Sequence, residues 1–132
     1  MADTMQFDLV SPEKKLASVQ ATMVELPGMD GDLAAMPNHS PTITTLRPGI
    51  VRIHADGNTT EYAVTGGFAE ISAGGTTVLA EQAMATGDLS RDTLEAMAGE
   101  AEAGIEGADD ATRTALAQRA NDLRALAGDM GL

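Results

Sequence analysis

The chain of 132 residues is long enough for one domain with a small second unit, and its hydrophobic fraction of 43% is that of an ordinary globular protein. Its three aromatic residues, Phe7, Tyr62 and Phe68, are too few for the stacking platforms that bind single-stranded nucleic acid. Eight basic residues against twenty acidic ones give a net charge of −12, which repels nucleic acid and anionic membranes, and the absence of cysteine excludes disulfides and thiol catalysis.

Residues 1–86 alternate apolar and polar side chains in short runs, a pattern typical of half-buried β-strands. The alternating runs are residues 5–9, 19–23, 51–55, 62–64 and 69–73. Between them lie the turn signals Pro27-Gly28, Pro48-Gly49, Asp56-Gly57 and Gly74-Gly75. Strands that recur about every ten residues predict an all-β sandwich or barrel.

A glycine pair, Gly66-Gly67, interrupts an apolar run between Val64 and Phe68. Two glycines at such a place predict a β-bulge or a close approach of another backbone. That requirement belongs to the fold or to an interface, and it does not indicate catalysis.

After Gly87 the alternation stops, and apolar residues recur at helical spacing. Ser90 is a suitable N-cap for a first helix, Asp92 lies in its first turn, and Gly107 is predicted to end it. The predicted apolar stripe of this helix is Leu94, Met97, Ala98, Ala101 and Ile105.

A second helix is predicted to begin after a cap at Asp109 or Asp110 and to end at Gly128. Its predicted apolar stripe is Leu116, Ala120, Leu123 and Ala127. Two consecutive helices with a short connection predict an antiparallel helical hairpin. The predicted organisation is therefore a β domain over residues 1–86 and a helical hairpin over residues 87–132.

The chemistry-bearing residues are sparse. His54 occupies an outward strand position, where a solvated side chain is expected, and His39 lies in a loop between Pro37 and Pro41, where a structural hydrogen bond is expected. One histidine among scattered carboxylates does not make a zinc set, which needs three or four close ligands.

The remaining motifs do not indicate an active site. Asp30 and Asp32 have the spacing that opens a calcium loop, but the rest of that frame and its distal glutamate are missing. Neither a GxSxG elbow nor a GxxxxGK phosphate loop is present. We therefore expect a binding module with no catalytic residue, cofactor or metal.

A set of motifs gives more specific information than composition and periodicity. They are FDLVSPE at 7–13, LPGMDGDL at 26–33, MPNHSP at 36–41, LRPG at 46–49, VTGGFAEI at 64–71 and TVLAE at 77–81. Their order and spacing resemble those of the ε subunit of bacterial F-type ATP synthases. The resemblance covers nearly all of residues 5–86.

The resemblance implies a fold and a role. The fold is a flattened sandwich of two five-stranded sheets followed by an antiparallel helical hairpin. The role is that of a non-catalytic rotor subunit in the central stalk, which couples proton flow to ATP synthesis by linking the γ subunit to the c-ring. It implies a peripheral position on the cytoplasmic face of the bacterial inner membrane. The residues that it implies at the γ and c-ring interface are Asp32, Met36, His39, Gly66, Gly67 and Phe68.

The hairpin departs from the relatives that bind ATP. These carry an Ile/Leu-Asp-x-x-Arg-Ala pattern at the start of the first helix, whereas Ser90 and Thr93 stand at the acidic and arginine positions here. The resemblance therefore implies weak or no ATP sensing. In relatives whose hairpin inhibits hydrolysis, a basic second helix reaches the α and β catalytic subunits. Here the second helix carries arginines and aspartates in similar number, which supports inhibition poorly.

The alternative is an acidic accessory or carrier-type β domain that acts as a protein-interaction module. Lipoyl- and biotinyl-type carriers present a modified lysine at a hairpin tip. The tips predicted here, Asp56-Gly57-Asn58 and Gly74-Gly75, contain no lysine. An enzyme of unknown type is a third reading, with no motif in its favour.

Overall fold

The computed structural model describes residues 3–130. The chain divides into two compact units, Met1–Ala85 and Thr86–Leu132. The strands of the first unit are β1 (Met5–Val10), β2 (Lys15–Ala21), β3 (Met23–Gly28), β4 (Gly31–Ala35), β5 (Thr42–Leu46), β6 (Gly49–Ala55), β7 (Asn58–Val64), β8 (Gly67–Ile71), β9 (Gly75–Ala80) and β10 (Ala83–Ala85). The second unit contains a 3₁₀ turn, Thr86–Asp88, and the helices α1 (Arg91–Ala103) and α2 (Asp110–Asp129).

The strands form two groups of five. The first half-sheet has the order β4-β3-β6-β7-β10 and the second has the order β5-β8-β9-β1-β2, and the two are joined where Gly28 of β3 pairs with Leu46 of β5. All pairs are antiparallel except β1 with β9. The predicted sandwich of five-stranded sheets is thus confirmed, and strand pairing at Gly28 and Leu46 joins the two halves.

The core lies between the half-sheets and is built from alternate strand residues. Phe7 and Leu9 of β1 are fully buried, as are Val24 of β3 and Val51 of β6. One cluster contains buried residues from both half-sheets, which fits a sandwich with a single core. The Tyr62 hydroxyl of β7 donates a 3.3 Å hydrogen bond to the carbonyl of Leu16 in β2, which adds a polar link between the half-sheets.

The sequence pattern failed at several strand boundaries. Pro27-Gly28, predicted to be a turn, ends strand β3, and the turn itself lies at Met29 and Asp30. Residue 28 must be glycine because a Cβ there would lie 2.6 Å from the carbonyl oxygen of Gly31. The run 19–23, predicted as one strand, is broken between β2 and β3 at Thr22.

The two helices form the predicted hairpin. The Ser90 hydroxyl accepts a hydrogen bond from the Thr93 amide, and the Asp109 carboxylate accepts one from the Thr112 amide, so both predicted caps are confirmed. The buried helical residues are Leu94, Ala98 and Ala101 in α1, and Ala120, Leu123 and Leu126 in α2. The stripe of α2 therefore passes through Leu126, and Ala127 at its border is only half-buried.

Both predicted helix ends were wrong. Helix α1 ends at Ala103 with Gly104 as its C-cap, and Gly107, at φ +79°, belongs to the connecting turn. Ile105, expected in the first stripe, therefore lies beyond the helix. Helix α2 continues through Gly128 to Asp129. An exposed glycine costs a helix only about 1 kcal/mol, so it does not end a helix by itself.

Candidate interaction surface

The outer face of the second half-sheet exposes large apolar side chains. Ala69, Ile71 and Val78 face the core, so their strand neighbours Phe68 and Leu79 face outward. Phe68 and Leu79 are 54% and 52% exposed. Ile43, on the same face of β5, is 76% exposed. Large apolar side chains that cluster on one exposed face indicate a protein-interaction site.

The strand register places Phe68 and Leu79 next to each other in a row that crosses the strands. Phe68 pairs with Thr45 on one side and with Leu79 on the other, and Leu79 pairs with Val10 of β1. The Met29 amide donates a 2.8 Å hydrogen bond to the Thr45 carbonyl, so Met29 continues the row beyond β5. Met29 is 52% exposed. We call Met29, Phe68 and Leu79 the outer ridge; it spans three strand spacings, about 14 Å.

An arginine fixes the end of the β3–β4 hairpin beside this ridge. One guanidinium nitrogen of Arg47 donates to the carbonyl of Gly28, and another donates to a carboxylate oxygen of Asp32. The Arg47 amide also donates a 2.9 Å hydrogen bond to the carbonyl of Pro27. Asp32 is mainly exposed, whereas the Arg47 side chain is largely covered. The pair therefore holds a carboxylate at the surface in a defined position.

The glycine pair lies at the junction of two strands, and not in the middle of one as predicted. Gly66 precedes β8 and Gly67 is its first residue, where the chain passes from β7 of the first half-sheet to the second, and their φ angles are +133° and +140°. A Cβ on Gly67 would lie 2.1 Å from the carbonyl oxygen of Leu79. The predicted close backbone approach is thus present. It serves the crossing between half-sheets and starts the strand that carries Phe68.

The loop with His39 lies at the other end of β5 and β8. The Asn38 amide donates a 3.1 Å hydrogen bond to the carbonyl of Ala73, beyond the end of β8. The His39 ring nitrogen Nδ1 lies 2.6 Å from the Ser40 carbonyl oxygen, in line with the structural hydrogen bond expected there. Met36, in the same loop, is 52% exposed.

The sequence-predicted residues therefore form two groups. Asp32, Gly66, Gly67 and Phe68 lie around the Leu46 end of β5, because Leu46 pairs with both Gly28 and Gly67. Met36 and His39 lie in the loop that leads into the opposite end of β5, at Thr42. Asp32 is bonded to Arg47 at the first group, whereas the His39 ring contacts Ser40 in its own loop. The two groups therefore do not form one site.

Four surface residues were missed as site candidates: Met29, Ile43, Arg47 and Leu79. Met29, Arg47 and Leu79 lie within the motifs that indicated this region, whereas Ile43 lies between two of them. The exposure of the apolar side chains depends on strand register, which the motifs do not show. Leu79 sits in an apolar run, TVLA, which shows no clear alternation. Only its pairing with Phe68 and Val10 identifies the face on which it lies.

The outer face of the first half-sheet has a different, polar character. His54 Nε2 lies 2.8 Å from a Glu25 carboxylate oxygen, and its Nδ1 lies 3.2 Å from the Thr59 hydroxyl. Arg52 and Glu61 pair across β6 and β7 at 2.9 Å. His54 is thus an outward strand residue, as expected, with its ring nitrogens engaged by neighbours.

The start of α1 uses its polar residues for capping. The Ser90 and Thr93 hydroxyls lie 2.9 Å apart, and the Ser90 oxygen also accepts from the Thr93 amide. These are the two positions at which the resemblance implies a departure from the ATP-binding pattern. In residues 3–130 no three His, Asp or Glu side chains cluster as a metal site would require, and neither helix has the length and apolar character that crossing a membrane needs.

Comparison with known proteins agrees with this architecture. The family model of the ATP synthase delta/epsilon chain β-sandwich domain matches residues 4–86. A subunit of the Euglena gracilis mitochondrial ATP synthase, from a structure of its OSCP/F1/c-ring assembly, superposes with a TM-score of 0.75. That match covers 98% of this chain and 82% of the other at 19% identity, which establishes a shared fold.

Sequence relatives cover the helices as well. The ATP synthase epsilon chain of Rhodobacter capsulatus is 48% identical over 132 residues, which is 100% of both chains. The epsilon chain of Ruegeria sp. (strain TM1040) is 58% identical over 101 residues, 76% of this chain and 74% of that one. These matches favour a stalk subunit over a carrier-type module or an enzyme. The chain belongs to the ATP synthase epsilon-chain family.

Proposed function

We propose that the protein is a non-catalytic rotor subunit that links the γ subunit to the c-ring and thereby couples proton translocation to ATP synthesis. In this proposal it is peripheral, on the cytoplasmic face of the bacterial inner membrane. Family membership supports the complex, and the outer ridge is the observation that supports a subunit interface. Three apolar side chains, each more than half exposed, lie in one row along the outer face of the second half-sheet and the turn beside it.

We assign the outer ridge to the γ subunit. Phe68, on the strand between β5 and β9, offers an aromatic anchor of the kind that dominates interface energetics. The crossing at Gly66 and Gly67 leads directly into β8, which carries Phe68 on its outer face. Burial of the ridge against a partner would remove about half of each side chain's surface from water.

The hairpin tip beside the ridge is assigned to the polar loops of the c-ring. Asp32 is exposed and held in place by Arg47, which suits a contact with polar loops. Met36 and His39 lie in a second exposed loop and form the remaining part of the proposed γ and c-ring contact. The helical hairpin is the unit available to the α and β catalytic subunits, and we propose that it senses ATP weakly or not at all.

The γ assignment is tested by Phe68→Ser. Because Phe68 is 54% exposed and outside the core, the variant should fold with little loss of stability. Its dissociation constant for purified γ should rise roughly ten- to hundredfold, the effect of removing an aromatic anchor. Met23→Ser is the matched control: Met23 pairs with His54 on the outer face of the first half-sheet. Equal γ affinity for the two variants would contradict the assignment.

A further inference from the structure

The turn between β3 and β4 carries Met29 and is attached to β5 and to Arg47 through one peptide group. The Met29 amide donates a 2.8 Å hydrogen bond to the Thr45 carbonyl of β5, and the Gly28 carbonyl accepts one from the Arg47 guanidinium. That amide and that carbonyl belong to the same peptide bond, which is planar. The orientation of this peptide group is therefore set from both ends, by a strand backbone and by an arginine side chain.

The same guanidinium holds the far side of the turn. Another of its nitrogens donates to a carboxylate oxygen of Asp32, near the start of β4. A guanidinium is a rigid planar fork, so two acceptors that bind it are held in a defined geometry. The backbone of Arg47 is itself fixed, because its amide donates a 2.9 Å hydrogen bond to the Pro27 carbonyl. One side chain thus holds the turn at Gly28 and at Asp32.

Met29 is the member of the outer ridge that depends most on this arrangement. Phe68 and Leu79 lie in paired strands, whereas Met29 lies in the turn and is 52% exposed. A methionine side chain has three rotatable bonds and adapts to its surroundings, so it contributes little order of its own. The place of Met29 in the row therefore follows from the orientation of the peptide group that precedes it.

We propose that Arg47 is a positioning residue for γ binding, which holds the peptide group between Gly28 and Met29 and thereby keeps the Met29 side chain in the outer ridge. This inference rests on the proposed binding of γ at the ridge, and it adds a residue that acts through Met29. The Arg47 side chain is only 30% exposed, because most of it is covered by the chain. Asp32 contributes to the same arrangement, since it binds another nitrogen of the guanidinium.

The first measurement is amide hydrogen exchange in the free protein, which does not involve γ. In Arg47→Gln the Gly28 carbonyl loses its side-chain donor, and the Met29 amide should exchange roughly tenfold faster than in wild type. The matched control is Arg52→Gln, which removes an arginine that pairs with Glu61 at 2.9 Å on the first half-sheet. Equal exchange at Met29 in wild type, Arg47→Gln and Arg52→Gln would overturn the inference.

The second measurement is a double-mutant cycle on the dissociation constant for purified γ. Arg47→Gln should raise that constant about three- to tenfold, and Arg47→Lys, which keeps the charge without the fork, should give an intermediate value and serves as the second variant if Arg47→Gln does not fold. In a Met29→Ala background, Arg47→Gln should change the constant less than about twofold, because the side chain that Arg47 positions is absent. Equal effects of Arg47→Gln in both backgrounds would show a purely structural role and would overturn the inference.

Phe68→Ser in the same series separates the role of Arg47 from the γ assignment. In a Phe68→Ser background the effect of Arg47→Gln should persist, because strand pairing, and not Arg47, holds Phe68 in place. Weak binding by Phe68→Ser together with wild-type affinity of Arg47→Gln would refute the role of Arg47 alone. Wild-type affinity of Phe68→Ser would refute the γ assignment, and with it the role of Arg47 in γ binding.

Discussion

Gly67 is the residue on which the crossing between the half-sheets depends. Its φ of +140° lies in a region that side-chain-bearing residues rarely adopt, and a Cβ would meet the Leu79 carbonyl oxygen at 2.1 Å. Because the Leu79 oxygen is a backbone atom, the clash could be relieved only if β8 or β9 moved. The strain therefore acts on the strands that carry the outer ridge.

Gly67→Ala is predicted to destabilise the protein by about 2–4 kcal/mol, from backbone strain together with the clash. Urea unfolding followed by circular dichroism gives the free energy of unfolding. Gly74→Ala is the control, because a Cβ there meets no atom within 4 Å, and its effect should stay within about 0.5 kcal/mol. Similar stabilities for the two variants would show that the crossing tolerates a side chain.

Local sequence patterns predicted some residues well and others poorly, for physical reasons. Met5, Phe7 and Leu9 alternate cleanly and are buried, and Ser90 and Asp109 cap helices, because both features depend on neighbours in sequence. Pro27-Gly28 failed because pairing with Leu46 and Arg47, about twenty positions away, extends β3 through a local turn signal. The outer ridge could not be predicted from local patterns for the same reason, because its residues are brought together by pairing between distant strands.

At the scale of elements, Arg124 links the two helices of the hairpin. Arg124 of α2 lies 2.9 Å from a Glu95 carboxylate oxygen and 2.6 Å from one of Glu102, both on α1. Its hydrogen bonds hold the pKa of both carboxyls below their usual value of 4.5. These groups are at the surface, so their ion pairs contribute little to the free energy of unfolding, and salt screens them.

The direction in which the stability of the hairpin changes with pH follows from the lowered pKa values. Stabilisation from Arg124 is present in full above about pH 4.5 and is lost as the pH falls through the folded-state values. Arg124→Gln should lower the thermal midpoint of the helical signal at neutral pH and low salt, and should differ little from wild type near pH 2. Arg113→Gln, on the same helix, should leave the midpoint unchanged at both pH values. If the neutral-pH midpoint of Arg124→Gln equals that of wild type, the ion pairs of Arg124 do not stabilise the hairpin.

At the scale of the whole molecule, the two units are proposed to be independent folding domains. The first contains the continuous core of the half-sheets, and the second buries its own stripe between α1 and α2. The β unit also carries the outer ridge and the Asp32 tip, so the proposed γ and c-ring contacts do not require the helices.

Deletion of residues 86–132 should leave a folded β domain that binds γ with wild-type affinity and supports coupled ATP synthesis. ATP hydrolysis by the assembled enzyme should change only modestly. Millimolar ATP should not raise the melting temperature of the intact protein. The resemblance implies that Ser90 and Thr93 stand where ATP-binding relatives carry an acid and an arginine, and these two side chains bond each other. A severalfold rise in hydrolysis on deletion, or clear stabilisation by ATP, would show that the hairpin is regulatory.

The central claim is that the β unit bridges γ and the c-ring, and site-directed cross-linking tests it most directly. The chain contains no cysteine, so a thiol introduced at position 32 or 68 is unique within it. In the reconstituted enzyme, Asp32→Cys should form a disulfide with a cysteine in the polar loop of the c-ring, and Phe68→Cys should form one with γ. Cross-linking of both variants to the catalytic subunits alone would contradict the account.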